Sequence, residues 1–146
     1  MSEAYPYTGI NSLSYSWANQ NTNDLPIPTE LGFDFEKDCF MYDGDGKHVI
    51  VEGDDAIKVW VYKALKTERF QYLAYSWQYG LEIKPFIGKV MGVSHRKSEL
   101  RRVIIECLMV NPYIKSIDSV TITAVGDSLT VDVTLTTVYG KVNINV

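Results

Sequence analysis

Residues 57–65 carry apolar side chains at helical spacing: Ile57, Trp60, Val61, Ala64 and Leu65 fall at i, i+3, i+4, i+7 and i+8, one face of an amphipathic helix. Gly53-Asp54-Asp55 precedes them as an N-cap, with the carboxylates where the helix dipole favours negative charge, and Lys58, Lys63 and Lys66 fall on the opposite, solvent-directed face. A second run, Leu100, Val103, Ile104, Cys107 and Leu108, repeats the spacing. Ser94 is its expected cap and Asn111-Pro112 its stop. After Pro112 the period changes from 3.6 to 2. Ile117, Val120, Ile122 and Ala124 alternate with polar residues up to Gly126-Asp127-Ser128, then Leu129, Val131, Val133 and Leu135 alternate on the return, and Tyr139-Gly140-Lys141 turns the chain into a last strand, residues 142–146. Ahead of the first helix, Phe33, Phe35, Phe40 and Tyr42, then Asp43-Gly44-Asp45-Gly46 and His48-Val49-Ile50-Val51, read as a β-hairpin around a positive-φ turn. Residues 67–92 break both periods and read as a loop with strand-like pieces and a short helix around residues 81–87. The pattern predicts an α+β fold: a hairpin, two long amphipathic helices and a C-terminal antiparallel sheet packed on them.

Residues 1–31 stand apart. Pro6, Pro26, Pro28 and many Asn and Ser residues break any period, and this stretch reads as an extended N-terminal arm, leaving residues 32–146 as the folded domain. The arm nevertheless carries Tyr5, Tyr7, Tyr15 and Trp17, more aromatic surface than a solvated linker needs. Ordering on a partner, or packing on its own domain, accounts for them.

Composition narrows the picture. At 146 residues the chain is one domain's worth, and its apolar runs fall far short of the roughly 20 residues of a membrane span. The N-terminus has neither the positive region nor the apolar core of a secretory signal, and Cys39 and Cys107 read as two reduced thiols, so a cytoplasmic setting is expected. A net charge of -4 argues against nucleic acid as the main partner. The distribution matters more: residues 24–55 hold ten acidic side chains against Lys37 and Lys47, and residues 56–115 hold eleven basic ones against Glu68, Glu82, Glu99 and Glu106. Either the two parts neutralise each other within the fold or each meets a different neighbour.

Catalytic and metal chemistry finds little support. Asp43-Gly44-Asp45 opens like a calcium loop, but His48 stands where that loop needs glycine and no bidentate Glu closes it. Cys39, His48, His95 and Cys107 lack zinc-ligand spacing. Glu68 with Glu82 or Asp118 could form a glycosidase pair only if the fold joined them, and an ion pair between Glu68 and a neighbouring basic side chain is the simpler expectation. No catalytic residue and no cofactor is assigned.

What stays unexplained is Thr67-Glu68-Arg69 directly after a helix end, then Tyr79-Gly80. Together with Trp60, Ala64-Leu65, Tyr75 and the later Pro112, these residues resemble the baseplate wedge or sheath-initiator family of contractile tails. That family includes the small wedge protein of T-even phages, PBSX-type prophage proteins and the corresponding type VI secretion subunit, and the likeness is nearest to the PBSX-type group. It covers residues 31–146. Many relatives carry Glu-Pro-Arg where this chain has Asn111-Pro112-Tyr113, which keeps the helix stop and loses the charge pair.

The resemblance implies a structural subunit, present in several copies, that joins the inner baseplate to the first sheath ring. Its partners would be wedge proteins, the sheath protein and tube or hub proteins, with assembly in the bacterial host cytoplasm. Thr67, Glu68, Arg69, Tyr79, Gly80, Asn111, Pro112 and Tyr113 would form the assembly interface. Val142, Asn143, Ile144, Asn145 and Val146 would accept a sheath strand, and Tyr5, Tyr7, Tyr15 and Trp17 would contact neighbours through the arm. A chain lacking residues 142–146 is expected to fold but not to start sheath. The competing readings are a peptidoglycan hydrolase with Glu68 as acid, and a free binding module holding a small ligand among Tyr72, Tyr75, Trp77 and Tyr79.

Overall fold

The computed structural model describes residues 25–86, 90, 92–126 and 128–146. Helix α1, Asp54–Lys66, buries Ile57, Val61, Ala64 and Leu65 as the spacing predicts. The buried face is wider than one stripe, because Ala56, Val59 and Tyr62 are also buried, whereas Trp60 is only partly so. Its N-cap is Gly53 at φ 62, with no side-chain cap. Asp54 instead ties the helix start to the far end of the sheet, where its Oδ1 accepts a hydrogen bond from the Thr137 hydroxyl at 2.7 Å. Thr137 is 2% exposed, and its oxygen also accepts the N–H groups of Tyr139 and Gly140.

Helix α2, Val93–Leu108, buries Leu100, Val103, Ile104, Cys107 and Leu108, the five positions expected. Its cap is corrected from Ser94 to Gly92, and Ser94 lies inside the first turn. The short helix expected around residues 81–87 contracts to one 3-10 turn, Lys84–Phe86.

The expected hairpin is two interlocked ribbons. Strand β1, Thr29–Leu31, pairs antiparallel with β4, Ile50–Glu52; between them β2, Phe33–Asp34, folds back on β3, Cys39–Phe40, through Asp38 at φ 52. The Asp43–Gly46 turn forms as predicted, with Tyr42 bridging His48. Asp43 Oδ1 accepts the N–H groups of Asp45 and Lys47 at 2.9 Å each, so this carboxylate serves the turn. The stretch read as the end of the arm therefore supplies a paired strand.

Both ribbons dock on the lysine face of α1. Lys63 reaches Glu30 at 2.9 Å, and Lys66 reaches Asp38 at 3.0 Å, beside the Tyr62 hydroxyl that donates to the same oxygen at 3.0 Å. Phe33 and Phe35 pack on the Tyr62 ring at 5.4 and 4.7 Å. At these contacts the acidic early part and the basic middle neutralise each other inside the fold. Both pairs are solvent-screened, where ion pairs contribute little, so the aromatic packing does more to hold the ribbons down.

The sheet runs β5-β6-β7, with β5 Ile114–Val125, β6 Ser128–Thr137 and β7 Lys141–Asn145, all antiparallel. Val131, Val133, Leu135, Val142 and Ile144 point into the core, and α1 and α2 cover that face, α1 against β7 and α2 against β5. Ala124 and Leu129, read as inward, are exposed: β7 pairs only with the proximal half of β6, and the end of the β5–β6 hairpin projects past both helices. Removing residues 142–146 would take Val142 and Ile144, each 4% exposed, out of the core at about 2–5 kcal/mol apiece. The expectation that such a chain still folds is corrected accordingly.

Hydrogen bonds from Lys66 and then Tyr62 hold the Asp38 carboxyl below its ordinary 3.8. A depressed folded value means the contact contributes above pH 3.8 and is lost as pH falls through the folded value. Thermal melts between about pH 7 and pH 3 should show a shallower loss of Tm for Asp38→Asn than for the parent, while Asp34 and Asp118, also lowered, keep part of the slope. Equal slopes in both proteins would remove Asp38 from the acid response.

Candidate assembly interface

Helix α1 ends at Thr67, whose backbone is extended and whose hydroxyl donates to the Lys63 carbonyl at 2.7 Å. The chain then turns at Phe70, φ 65, a conformation rare for a bulky residue, and makes a ten-residue excursion before Gly80 brings it back. The return is a short parallel pairing: Leu81 N–H donates to the Thr67 carbonyl at 2.8 Å, and Arg69 N–H to the Leu81 carbonyl at 3.1 Å. Gly80 sits at φ 101. A Cβ there would lie 2.8 Å from the Thr67 carbonyl oxygen and 3.1 Å from the Arg69 nitrogen. Thr67, Glu68, Arg69, Tyr79 and Gly80 are thus one backbone knot, and glycine is required by both conformation and space.

Arg69, rather than Glu68, carries the ion pair. Its Nε donates to the Trp77 carbonyl at 2.9 Å, its guanidinium reaches Glu106 on α2 at 3.7 Å, and Glu106 continues to Arg102 at 3.2 Å. Glu68 accepts only a long 3.4 Å bond from the Lys84 N–H and has no ion pair among the described residues. The expectation for Glu68 is corrected to its neighbour, because the turn at residues 69–70 directs Arg69 across the loop toward α2.

Within the excursion Tyr72 meets Tyr75 at 6.0 Å, Tyr75 meets Tyr79 at 4.7 Å, and Phe70 meets Trp77 at 5.9 Å. Tyr79 also meets Trp60 edge-on at 5.7 Å, and its burial pushes the phenol up to about 12, so it stays protonated. The outer side stays open to solvent: Trp77 is 79% exposed and Leu73 fully so. No charged residue falls in residues 70–81. A neutral loop rich in Tyr and Trp has the composition of an interface core.

Asn111, Pro112 and Tyr113 form a second turn. Asn111 is buried, its Oδ1 accepting the Tyr113 N–H at 2.9 Å, and the buried Tyr113 donates its hydroxyl to the Pro26 carbonyl at 2.7 Å. Tyr79, Asn111, Pro112 and Tyr113 line one groove of about 580 Å³ beside α1, floored by Ala56 and Ile57. The groove joins two turns that are far apart in sequence; nothing in the local pattern announces it. Of the four aromatic residues weighed as a ligand pocket, only Tyr79 lines it.

Val142, Asn143, Ile144, Asn145 and Val146 lie away from that groove, on the sheet edge. Val146 exchanges both backbone hydrogen bonds with Val131, at 2.7 and 2.9 Å, and the Thr137 N–H donates to the Gly140 carbonyl. In an antiparallel ladder the bonding alternates, so Val142 and Ile144 also face β6, while the N–H and C=O groups of Asn143 and Asn145 point outward. Their side chains lie on the polar face, Asn143 donating to Thr134 at 3.0 Å and Asn145 to Asp132 at 2.7 Å. Tyr5, Tyr7, Tyr15 and Trp17 fall outside the described residues.

Burial pushes the Cys107 thiol up to about 11, leaving it unreactive, and Cys39 is exposed and unpaired. Among the described residues no group of three or more His, Cys, Asp or Glu side chains could hold a metal ion, and no helix is long and apolar enough to cross a membrane.

Among the described residues, the two-helix domain presents outward a strand edge and an uncharged aromatic surface. The contractile injection system sheath initiator family matches residues 29–140, about three quarters of the chain, and the protein belongs to that family. The match opens at the first residue of β1 and closes at Gly140, just before β7. No curated protein matches the chain. Sheath initiators are structural parts of the baseplate and not enzymes, which removes the hydrolase reading of Glu68, and membership implies contact with sheath and baseplate components.

Gly80→Ala should destabilise the domain by at least about 2 kcal/mol, through the strained φ and the contact with Thr67. Denaturant unfolding monitored by circular dichroism measures it. A loss below about 0.5 kcal/mol, the range of an ordinary surface change, would mean that the knot relaxes freely and does not hold the loop.

Proposed function

We propose that this protein joins the inner baseplate to the first sheath ring and starts sheath assembly by adding a strand from the sheath protein to β7. The observation that carries this reading is the division of labour along β7: Val142 and Ile144 hold the strand to the core, and Asn143 and Asn145 offer backbone groups with no partner among the described residues. An extended segment laid there would gain main-chain hydrogen bonds at once, with register set by the side chains along the edge. Asn143 and Asn145 add polar side chains without a charge that would repel an arriving strand.

The uncharged aromatic loop, with the knot of Thr67, Glu68, Arg69, Tyr79 and Gly80 beneath it, supports a second contact on another side, with wedge proteins. Asn111, Pro112 and Tyr113, having lost the family's charge pair, contribute packing in place of an ion pair. Tube or hub proteins complete the set of neighbours, several copies enter each particle, and assembly takes place in the host cytoplasm.

Proline at an edge position whose N–H faces outward removes a donor for the incoming strand and leaves the existing ladder intact. Asn143→Pro with Asn145→Pro should therefore give a folded protein that enters baseplates yet fails to start sheath, scored by electron microscopy of reconstituted particles. Normal sheath on baseplates carrying this variant would rule out augmentation at β7.

A further inference from the structure

The groove beside α1 has an apolar floor of Ala56 and Ile57, each 1% exposed, and walls that include Trp60, Tyr79, Pro112 and Tyr113. Among the described residues that line it, Glu30 alone is charged, and Lys63 holds that carboxylate at 2.9 Å. The site is neutral and aromatic, and its volume of about 580 Å³ lies in the range that takes one or two large side chains.

The described chain begins beside it. Leu25 packs against the core, the Pro26 carbonyl accepts the hydroxyl of Tyr113 at 2.7 Å, and Pro28 lines the groove while its carbonyl accepts the Gly53 N–H at 3.0 Å. Leu25, to which the 24 preceding residues are joined, thus stands on a fixed stem near the rim of the groove. Their chemistry matches: residues 4–23 contain no Asp, Glu, Lys, Arg or His, and include Tyr15 and Trp17. Trp17 is eight residues from Leu25, a reach of up to ~28 Å, and so short a tether gives an effective concentration in the millimolar range.

We infer that the segment bearing Tyr15 and Trp17 occupies this groove in its own chain, with the Trp17 ring as anchor. The inference is independent of the β7 reading, since groove and sheet edge are separate surfaces. It gives the arm's aromatic residues a role within the subunit: closing the apolar side of α1 and fixing the direction in which residues 1–14 leave the domain.

The test is ¹⁹F NMR of the full chain labelled with 5-fluorotryptophan, with the three resonances assigned through Trp17→Phe, Trp60→Phe and Trp77→Phe. Trp77, 79% exposed, serves as the solvent reference. The Trp17 resonance should lose most of the H2O-to-D2O isotope shift that Trp77 shows, should be unchanged on tenfold dilution, and should return to the solvent value in Val110→Asp, which puts a charge on a groove wall residue that is 40% exposed. Gln78→Glu, at another exposed lining position, replaces Val110→Asp if that variant unfolds. A full isotope shift for Trp17 overturns the inference. So does shielding that disappears on dilution, which would mean a second copy's segment, and so does shielding that neither groove variant moves, which would place the ring elsewhere.

Discussion

Helix α1 is pressed from two sides, and the remaining elements are placed by that constraint. Ile57, Val61, Ala64 and Leu65 face the sheet and α2, with Val61 and Ala64 wholly buried, while Tyr62, Lys63 and Lys66 receive the two β-ribbons. Burying each large apolar side chain contributes about 1.5–3 kcal/mol, so a shift of the helix by one residue would forfeit contacts on both sides together. The helix end is consequently held in place, and Thr67 must present its carbonyl where Leu81 comes back. Gly80 is the point at which that requirement meets hard-sphere limits.

A domain anchored in this way can leave its candidate contact surfaces plain. The β7 strand shows how: its inward residues belong to the core, and its outward backbone groups are committed to nothing among the described residues. The aromatic excursion follows the same logic, because its base is closed by backbone hydrogen bonds and the Arg69–Glu106 link while Leu73 and Trp77 remain in solvent. Charge plays a smaller part than the sequence invites. Glu30 and Asp38 answer Lys63 and Lys66 within the fold, and both candidate contact surfaces are nearly uncharged.

Much of the fold was legible in local period. The buried face of α2 and the alternation of β6 follow directly from spacing, since each element packs one face on one neighbour. Elements with two neighbours were read less well: Tyr62 and Val59 joined the buried set of α1 because ribbons cover a second side, and the pairing of Thr29–Leu31 with Ile50–Glu52 is set across a long sequence separation by contacts no window contains. Ala124 and Leu129 keep strand alternation beyond the reach of the helices, so the pattern persists where the core does not. Of the candidate site, the close approach at Gly80 had a signal in its glycine, and Asn111-Pro112 announced its turn. The exchange of Glu68 for Arg69, and the groove between Tyr79 and Tyr113, depend on where two distant turns meet.

If β7 receives a strand, its outward backbone groups must become protected. The decisive measurement is amide hydrogen exchange, resolved to single residues, on the full chain with and without assembly-competent sheath protein. The amides of Asn143 and Asn145 should exchange quickly in the free protein and become protected when sheath is added, while those of Ile144 and Val146, already bonded to β6, should change little. Protection confined to β5 or to residues 70–79, with Asn143 and Asn145 still exchanging at the free rate, would rule out strand addition at β7.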